Sequence, residues 1–307
     1  MKFYLLFILC ACGYFIWRSI PDQSVRLIFC DVGQGDATLI TVGYQQLLVD
    51  GGPNDAVLTC LANHVPFWDR TIEFMVVTHP DADHITGLTS VLQNYQVDNI
   101  LTTSLTKETA GFAAFQQALE EERAEGSKIM GPQIGQQIQL SETAFGRVLS
   151  PQERLESSGA ISIATPETML SDAEGWKTVK TISLNEYNNW SIVLFLDLDG
   201  VKVMLTGDLE LPGETALIGA GLTQDVDIIK IGHHGSKSSS GPGFLAAVEP
   251  EVGVISVGEN NRYKHPADLV VKSLVESGIA IRRTDTEGTI EFVIADGQYR
   301  QATSRDW

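Results

Sequence analysis

The segment Thr78-His79-Pro80-Asp81-Ala82-Asp83-His84 sets two imidazoles and two carboxylates directly behind an apolar run, Glu73-Phe74-Met75-Val76-Val77. Burying that many polar groups at the end of a strand is costly unless they share a ligand. Alternate residues of a strand-to-helix turn can converge on one point, which suits a divalent metal ion. Further ligands must come from elsewhere in the chain, and three later segments offer them. Val203-Met204-Leu205-Thr206-Gly207-Asp208 ends a second apolar strand in a carboxylate. Asp227-Ile228-Ile229-Lys230-Ile231-Gly232-His233-His234-Gly235-Ser236 ends a third in paired histidines, followed by the hydroxyl-rich Lys237-Ser238-Ser239-Ser240-Gly241. Asn261-Arg262-Tyr263-Lys264-His265-Pro266 follows a fourth, Gly253–Val257. Four strands of one domain that end this way predict a common rim on which these residues face each other.

The rest of the body reads as one continuous α/β domain over residues 22–307. Residues 25–29, 37–41 and 46–49 have strand character, and residues 55–64 read as a helix with Val57, Leu58 and Leu61 on one face. Residues 107–125 read as an amphipathic helix whose Phe112, Phe115 and Leu119 face inward and whose Glu120-Glu121-Glu122 run is a solvated face. Between about residues 151 and 187 the pattern dissolves into Ser, Gly, Thr and Glu, which predicts an insertion or long loop. Asp197-Leu198-Asp199-Gly200 is expected to be a hairpin turn rather than a calcium loop, since the rest of a twelve-residue loop is missing. With four cysteines in the chain, a disulfide scaffold is not expected; Cys30 and Cys60 are isolated and read as free, buried thiols.

Residues 1–20 form a separate segment, with Lys2, an apolar run from Phe3 to Trp17, and Arg18. It reads as an uncleaved membrane anchor, with a cleaved signal peptide or a lipid anchor at Cys12 as alternatives. The body is expected to be extracytoplasmic, although the flanking charges do not fix orientation. The chain carries 21 Lys+Arg against 39 Asp+Glu, a net charge of −18, which excludes a broad nucleic-acid-binding surface. Over residues 228–272 the basic residues Lys230, Lys237, Arg262, Lys264 and Lys272 nearly balance the acids. The rim is therefore where a polyanion would be tolerated. No oligomeric state follows from these patterns.

His79-x-Asp81-x-Asp83-His84, Thr206-Gly207-Asp208 and His233-His234-Gly235-Ser236 resemble the metal motifs of the metallo-β-lactamase superfamily. A finer resemblance is to the metallo-β-lactamase-like domain of ComEC-type DNA-uptake (competence) proteins. It rests on Asp31-Val32-Gly33-Gln34-Gly35-Asp36, Val49-Asp50-Gly51-Gly52, Asn189-x-Ser191 and Tyr263-Lys264-His265-Pro266, and it covers roughly residues 25–295. The resemblance implies a four-layer αββα sandwich with two divalent metal ions at the rim between its sheets. It would place His79, Asp81 and one of His233 and His234 on one ion, Asp83 and His84 on the other, and Asp208 between them. Asp50 would orient ligands from behind, and Asp31, Gln34 and Asp36 would line the same rim.

Two positions depart from the superfamily pattern. Asp81 stands where a second histidine is usual, and no histidine occurs between His84 and His233, where Asn188-Asn189-x-Ser191 stands instead. Oxygen donors favour harder ions, so zinc and manganese both fit the pattern. The implied chemistry is hydrolysis by a metal-activated water, with a phosphodiester, single-stranded DNA included, as the expected substrate. Ser236, Lys237, Lys264 and Asn189 are the expected substrate contacts; His265, or whichever of His233 and His234 is not a ligand, is the expected proton donor, and Asp83, His265 and His234 are the expected catalytic residues. Two other classes compete: a hydrolase of esters, thioesters or lactams, and a membrane-anchored metal-binding module with little catalysis.

Overall fold

The computed structural model describes residues 24–151, 153–155, 161–163 and 184–302. Two sheets dominate. The first contains eight strands in the order β17-β16-β1-β2-β3-β4-β5-β6, where β1 is Val25–Phe29, β2 Thr38–Val42, β3 Gln45–Val49, β4 Thr71–Val77, β5 Gln96–Thr102, β6 Lys128–Met130, β16 Ile290–Ala295 and β17 Gln298–Gln301. The second contains seven, in the order β15-β14-β13-β12-β11-β8-β7, where β7 is Gln137–Gln139, β8 Ala144–Ser150, β11 Val193–Leu198, β12 Val201–Leu205, β13 Ile228–Lys230, β14 Val252–Ile255 and β15 Ala280–Arg283. A separate hairpin pairs β9 (Glu153–Leu155) with β10 (Ile161–Ile163). The rest of the expected insertion, other than the 3-10 turn Leu184–Trp190, lies outside the described residues.

Side-chain alternation along the strands makes the layers. Leu27 and Phe29 of β1, with Leu47 and Val49 of β3, pack against Leu194, Leu196, Val203 and Leu205 of the facing sheet. Ile28 and Leu48 point the other way, into a cluster with Val57 and Leu61 of α1 (Ala56–His64), Leu88 of α2 (Ala82–Asn94) and Phe115 of α3 (Ala110–Glu125). Met204 and Ile229 likewise point outward from the second sheet, against Leu217 of α4 (Leu211–Gly219), Phe244 and Leu245 of α5 (Pro242–Val248), and Leu274 of α6 (Asp268–Glu276). The result is the expected αββα sandwich. A short helix, α7 (Thr284–Glu287), precedes β16.

Within each sheet a run of parallel strands, β3 to β6 and β12 to β15, points its C-terminal ends the same way. Asp50, Thr78-His79, Asp208, the Gly232–Gly235 turn and Ser256 all follow such ends. A backbone bond from Ile192 N to Thr78 O, 3.0 Å, joins the two sheets at this rim.

Three local expectations change. Cys30 and Cys60 are joined in a disulfide with a Cα–Cα distance of 5.9 Å, because α1 lies across the end of β1 and brings together residues 30 apart in sequence. Glu122 does not share the solvated face of Glu120 and Glu121: it is buried and accepts from Val97 N at 3.2 Å and from Ser127 Oγ at 2.7 Å. The helix read as 107–125 starts at Ala110, capped by Thr109, whose Oγ1 accepts from Phe112 N, so Lys107 is left in the preceding loop. The hairpin turn at Asp197–Gly200 is present, with Asp197 Oδ1 accepting from Gly200 N at 2.9 Å. Among the described residues no helix is long and apolar enough to cross a membrane, and the anchor predicted over residues 1–20 lies outside them.

Candidate metal centre

Asp50 is the first fixed point. It follows β3 with φ 60°, in the left-handed region, and is buried. Its Oδ1 accepts from Thr78 N (2.8 Å), and its Oδ2 accepts from Thr78 Oγ1 (2.6 Å) and lies 2.8 Å from His84 Nδ1. A carboxylate behind Nδ1 fixes both the tautomer and the ring plane, and turns Nε2 toward the rim. His79 is oriented in the same sense by Thr78 Oγ1, 3.0 Å from its Nδ1, with Ser191 Oγ at 3.5 Å.

His233 and His234 are both in the left-handed region, at φ 46° and 52°. Consecutive left-handed residues other than glycine are strained and persist only where their surroundings hold them. Here the turn sends the two rings to different places. His234 goes inward, with Nδ1 donating to the Ser256 carbonyl at 2.8 Å and lying 3.3 Å from Asp36 Oδ1. His233 stays part-exposed, with Nδ1 at 3.1 Å from Glu210 Oε1 and 3.3 Å from Asn188 Nδ2.

Three imidazole Nε2 atoms, of His79, His84 and His234, are buried with no hydrogen-bond partner among the described residues. They surround one carboxylate oxygen: Asp208 Oδ2 lies 3.9, 3.4 and 3.5 Å from them respectively. Ligand atoms about 2.0–2.1 Å from one tetrahedral ion are about 3.3–3.4 Å apart, so these are separations that a cation would close up. Asp83 Oδ2 adds a donor 3.4 Å from His234 Nε2. Among the described residues the ligand-like groups are His79–His84–Asp208 and Asp83–His84–His234, with Asp36–Asp208–His234 and Asp36–Asp50–His84 behind them. His234 joins Asp83 and His84 rather than His79 and Asp81, while the part-exposed His233 belongs to neither group, although its Nε2 also lies 3.9 Å from Asp208 Oδ2. The donor set fits a divalent cation.

The charges are balanced from within. Lys230, at the end of β13, is buried and donates to Gly207 O at 2.6 Å, to Asp36 and, more distantly, to Asp208 Oδ1 at 3.4 Å. Burial would lower its pKa, but Asp36 and Asp208 outweigh it and the net shift is upward. Burial also opposes ionisation of Asp36 and Asp208; Lys230 on the first and His234 and His84 on the second still hold both carboxyls below their usual range. His84 and His234 are raised against the effect of burial, chiefly by Asp208, with His234 pushed up to about 10. His79 is lowered by burial and by its neighbour His84, which keeps it neutral.

The remaining predicted residues are spread more widely. Asp81 Oδ1 is 3.7 Å from His79 Nε2 but is paired with Lys107, whose ammonium also sits 4.9 Å from the Tyr187 ring centre. Asp36 reaches the cluster because Gly35 lets the opening loop press on α2: a Cβ at Gly35 would stand 2.2 Å from Asp83 O, and Asp36 N donates to that same carbonyl at 3.1 Å. Gln34 Oε1 accepts from Gly258 N at 3.2 Å, which joins that loop to the one after β14. Asp31 is exposed and accepts from Gly33 N at 3.2 Å, so its carboxylate serves the turn. Asn189 Oδ1 accepts from Gly213 N at 3.0 Å, in the first turn of α4; its neighbour Asn188 is the one that faces a histidine. Ser236 Oγ is 2.9 Å from Ser238 Oγ, which in turn donates to Glu210 at 2.8 Å. Lys237 and Lys264 are exposed. His265 stacks on the exposed Tyr263 ring (centroids 5.8 Å, 12° between planes), lies 5.7 Å from the His233 ring, and has no partner for Nδ1 among the described residues. Sequence reading assigned no site role to Lys230, Glu210, Ser256 or Lys107. Lys230 carried the one usable signal, a charge closing an otherwise apolar strand.

A sequence model described as the metallo-beta-lactamase superfamily matches residues 30–259. The chain is 28% identical over 296 residues to ComE operon protein 3 of Bacillus subtilis, covering 91% of this chain and 34% of that protein. It is 29% identical over 297 residues to competence protein ComA of Neisseria gonorrhoeae, covering 94% of this chain and 36% of that one. It thus spans only about a third of the length of these relatives. Among solved structures, the metallo-beta-lactamase fold protein YhfI from Bacillus subtilis superposes with a TM-score of 0.50 at 11% identity, covering 87% of this chain and 99% of that one. CmlA, a diiron β-hydroxylase from Streptomyces venezuelae, gives 0.50 at 14% identity, covering 89% and 55%. At these identities the two structures speak to fold alone.

Proposed function

Since this chain belongs to the metallo-beta-lactamase superfamily and has the fold of its metal-dependent hydrolases, we propose that it is a metal-dependent phosphodiesterase acting on single-stranded DNA. The observation that carries the metal part of this reading is the convergence on Asp208 Oδ2 of three Nε2 atoms that have no hydrogen-bond partner among the described residues. His79, Asp81 and Asp208 would hold one zinc or manganese ion; Asp83, His84 and His234 would hold a second, which Asp208 shares. Ions bound there supply a water of near-neutral pKa and a counter-charge for phosphoryl oxygens.

The surrounding residues have separable tasks. Asp50, Thr78 and the Ser256 carbonyl hold the imidazoles so that Nε2 faces the centre. Lys264 and Lys237 are exposed cations near the rim, suited to holding a phosphodiester. His265 has a pKa lowered first by burial and then by His233 and His234, so at neutral pH its ring is mostly neutral; once protonated it would be a ready acid toward a leaving oxygen. The acidic remainder of the surface confines a polyanion to this one place.

The competence proteins among its relatives favour DNA as the phosphodiester. The Cys30–Cys60 disulfide favours an oxidising compartment, in keeping with residues 1–20 as an anchor and the body outside the cytoplasm. The test uses the full chain in detergent, assayed for bound metal and for hydrolysis of a chromogenic phosphodiester, single-stranded DNA and a chromogenic lactam, with Asp83→Ala as control. Turnover of the first two in manganese or zinc is expected. Turnover of the lactam alone moves the protein to the ester and lactam hydrolases, and no turnover above the control removes the enzymatic reading.

A further inference from the structure

Lys230 is a buried cation amid residues that would bind cations, and the proposed function gives it no task. Its ammonium is enclosed by oxygens: one from Asp36, Asp208 Oδ1 at 3.4 Å and the Gly207 carbonyl at 2.6 Å. Three oxygens from two carboxylates and a carbonyl make a cation site in their own right. The same Asp36 and Asp208, with His234, would form a further ligand-like group if the lysine were absent. Asp208 is divided by this arrangement: Oδ1 faces the ammonium, while Oδ2 faces the three imidazoles. Its backbone is fixed as well, with Asp208 N donating to Ser191 Oγ at 3.1 Å.

We infer that Lys230 is a positioning residue for the metal centre: its ammonium fills an oxygen-lined cation site behind Asp208, holds Oδ1 there, and leaves Oδ2 as the single oxygen that Asp208 offers to a divalent ion. The inference rests on the metal-binding part of the proposed function. It would keep Asp36, close to His234 and His84, from competing for the ion, since its other partner is the lysine. It also gives the opening loop a role in the centre, since Asp36 anchors the ammonium that anchors Asp208.

Charge and geometry are separated by two variants. Lys230→Met leaves Asp36 and Asp208 without their buried counter-ion and should lower Tm by about 5–8 °C. Lys230→Met combined with Asp36→Asn removes one positive and one negative charge, so the net charge of the centre is that of the wild type. Tm of this double variant should return to within about 2 °C of wild type, because a buried pair replaced as a unit costs little. Its affinity for Mn2+, read by titration calorimetry, should nevertheless be weaker by about tenfold or more, because Asp208 is free to rotate. Wild-type affinity in the double variant, or a Tm no higher than that of Lys230→Met alone, would make the lysine a structural counter-ion and overturn the inference. A wild-type chain that binds neither Mn2+ nor Zn2+ would refute the metal reading and this inference with it. Wild-type binding with an unchanged double variant refutes this inference alone.

Discussion

At the floor of the site every imidazole has its inner nitrogen committed: His84 to Asp50, His234 to the Ser256 carbonyl, His79 to Thr78. At the rim the same side chain is more exposed. His233 leans on Glu210 while part-exposed, and His265 stacks on an exposed tyrosine with Nδ1 unpartnered among the described residues. The floor is built from strand ends, where two packed sheets set the backbone; the rim is built from loops. Such a division puts geometry where a metal ion demands it and adaptability where a flexible polymer would lie. If it is correct, floor variants should change metal binding, and rim variants should change substrate binding with the metal intact.

The largest effect is expected at the centre of the floor. Asp208→Ala removes the oxygen that all three Nε2 atoms face. Without bound ions a water would lose the acidity that they lend it, so turnover should fall by more than about 1,000-fold, with bound metal lost in parallel. Metal analysis beside the phosphodiester assay checks this; metal retained at wild-type stoichiometry would contradict the floor assignment. Next comes the disulfide, which ties the start of the Asp31–Asp36 loop to α1. Replacing Cys30 and Cys60 together by serine opens a loop worth about 3–4 kcal/mol. Thermal unfolding should then shift down by about 5–6 °C at this chain length.

Asp50→Asn probes the support beneath the floor. It keeps the shape but puts an amide behind His84 Nδ1, and should weaken metal affinity by about 10–100-fold with the fold retained. The protons give a related expectation. His84 and His234 have raised pKa values in the metal-free protein, and ligation requires neutral rings. Metal affinity should therefore climb as pH rises from 6 toward about 10, by roughly tenfold or less per unit for each proton displaced. Metal-free stability should move the other way. Folded pKa values above the unfolded value of about 6.5 give a contribution that is complete below that pH. It is lost as pH rises through the folded value, about 10 for His234. Parallel rather than opposed trends in Mn2+ titrations and melting curves would mean that these two rings are not the ones displaced.

What the sequence disclosed follows the same boundary. The strand-end rim that carries His79, Asp83, His84 and Asp208 was legible, because apolar strand runs and ligand spacing are local properties, and the sandwich was implied by the resemblance to the superfamily. Long-range pairings were not. Lys230 closes an apolar run and looks like a strand terminus reaching water, until Asp36 is brought in from a loop far away in sequence. Cys30 and Cys60 look solitary until α1 crosses β1. Glu122 sits in an acidic run and is distinguished only by the Val97 N–H that it meets after folding. The choice between His233 and His234 depended on two left-handed backbone positions, which a histidine pair does not announce.

The smallest effect is expected at the outer rim, and it is the sharpest test of the division. Lys264 is exposed, at φ 57°, one residue before His265, and touches none of the buried cluster. Lys264→Ala should leave bound metal and kcat unchanged. An exposed cation facing a phosphate contributes at most about 1 kcal/mol, so KM for single-stranded DNA should rise by no more than about fivefold. The increase should shrink as salt is raised from 0.05 to 0.5 M, since screening already weakens such a contact in the wild type. A variant that instead lost metal or kcat would show the loop to be part of the floor, and the contrast between committed and adaptable histidines would have to be drawn elsewhere.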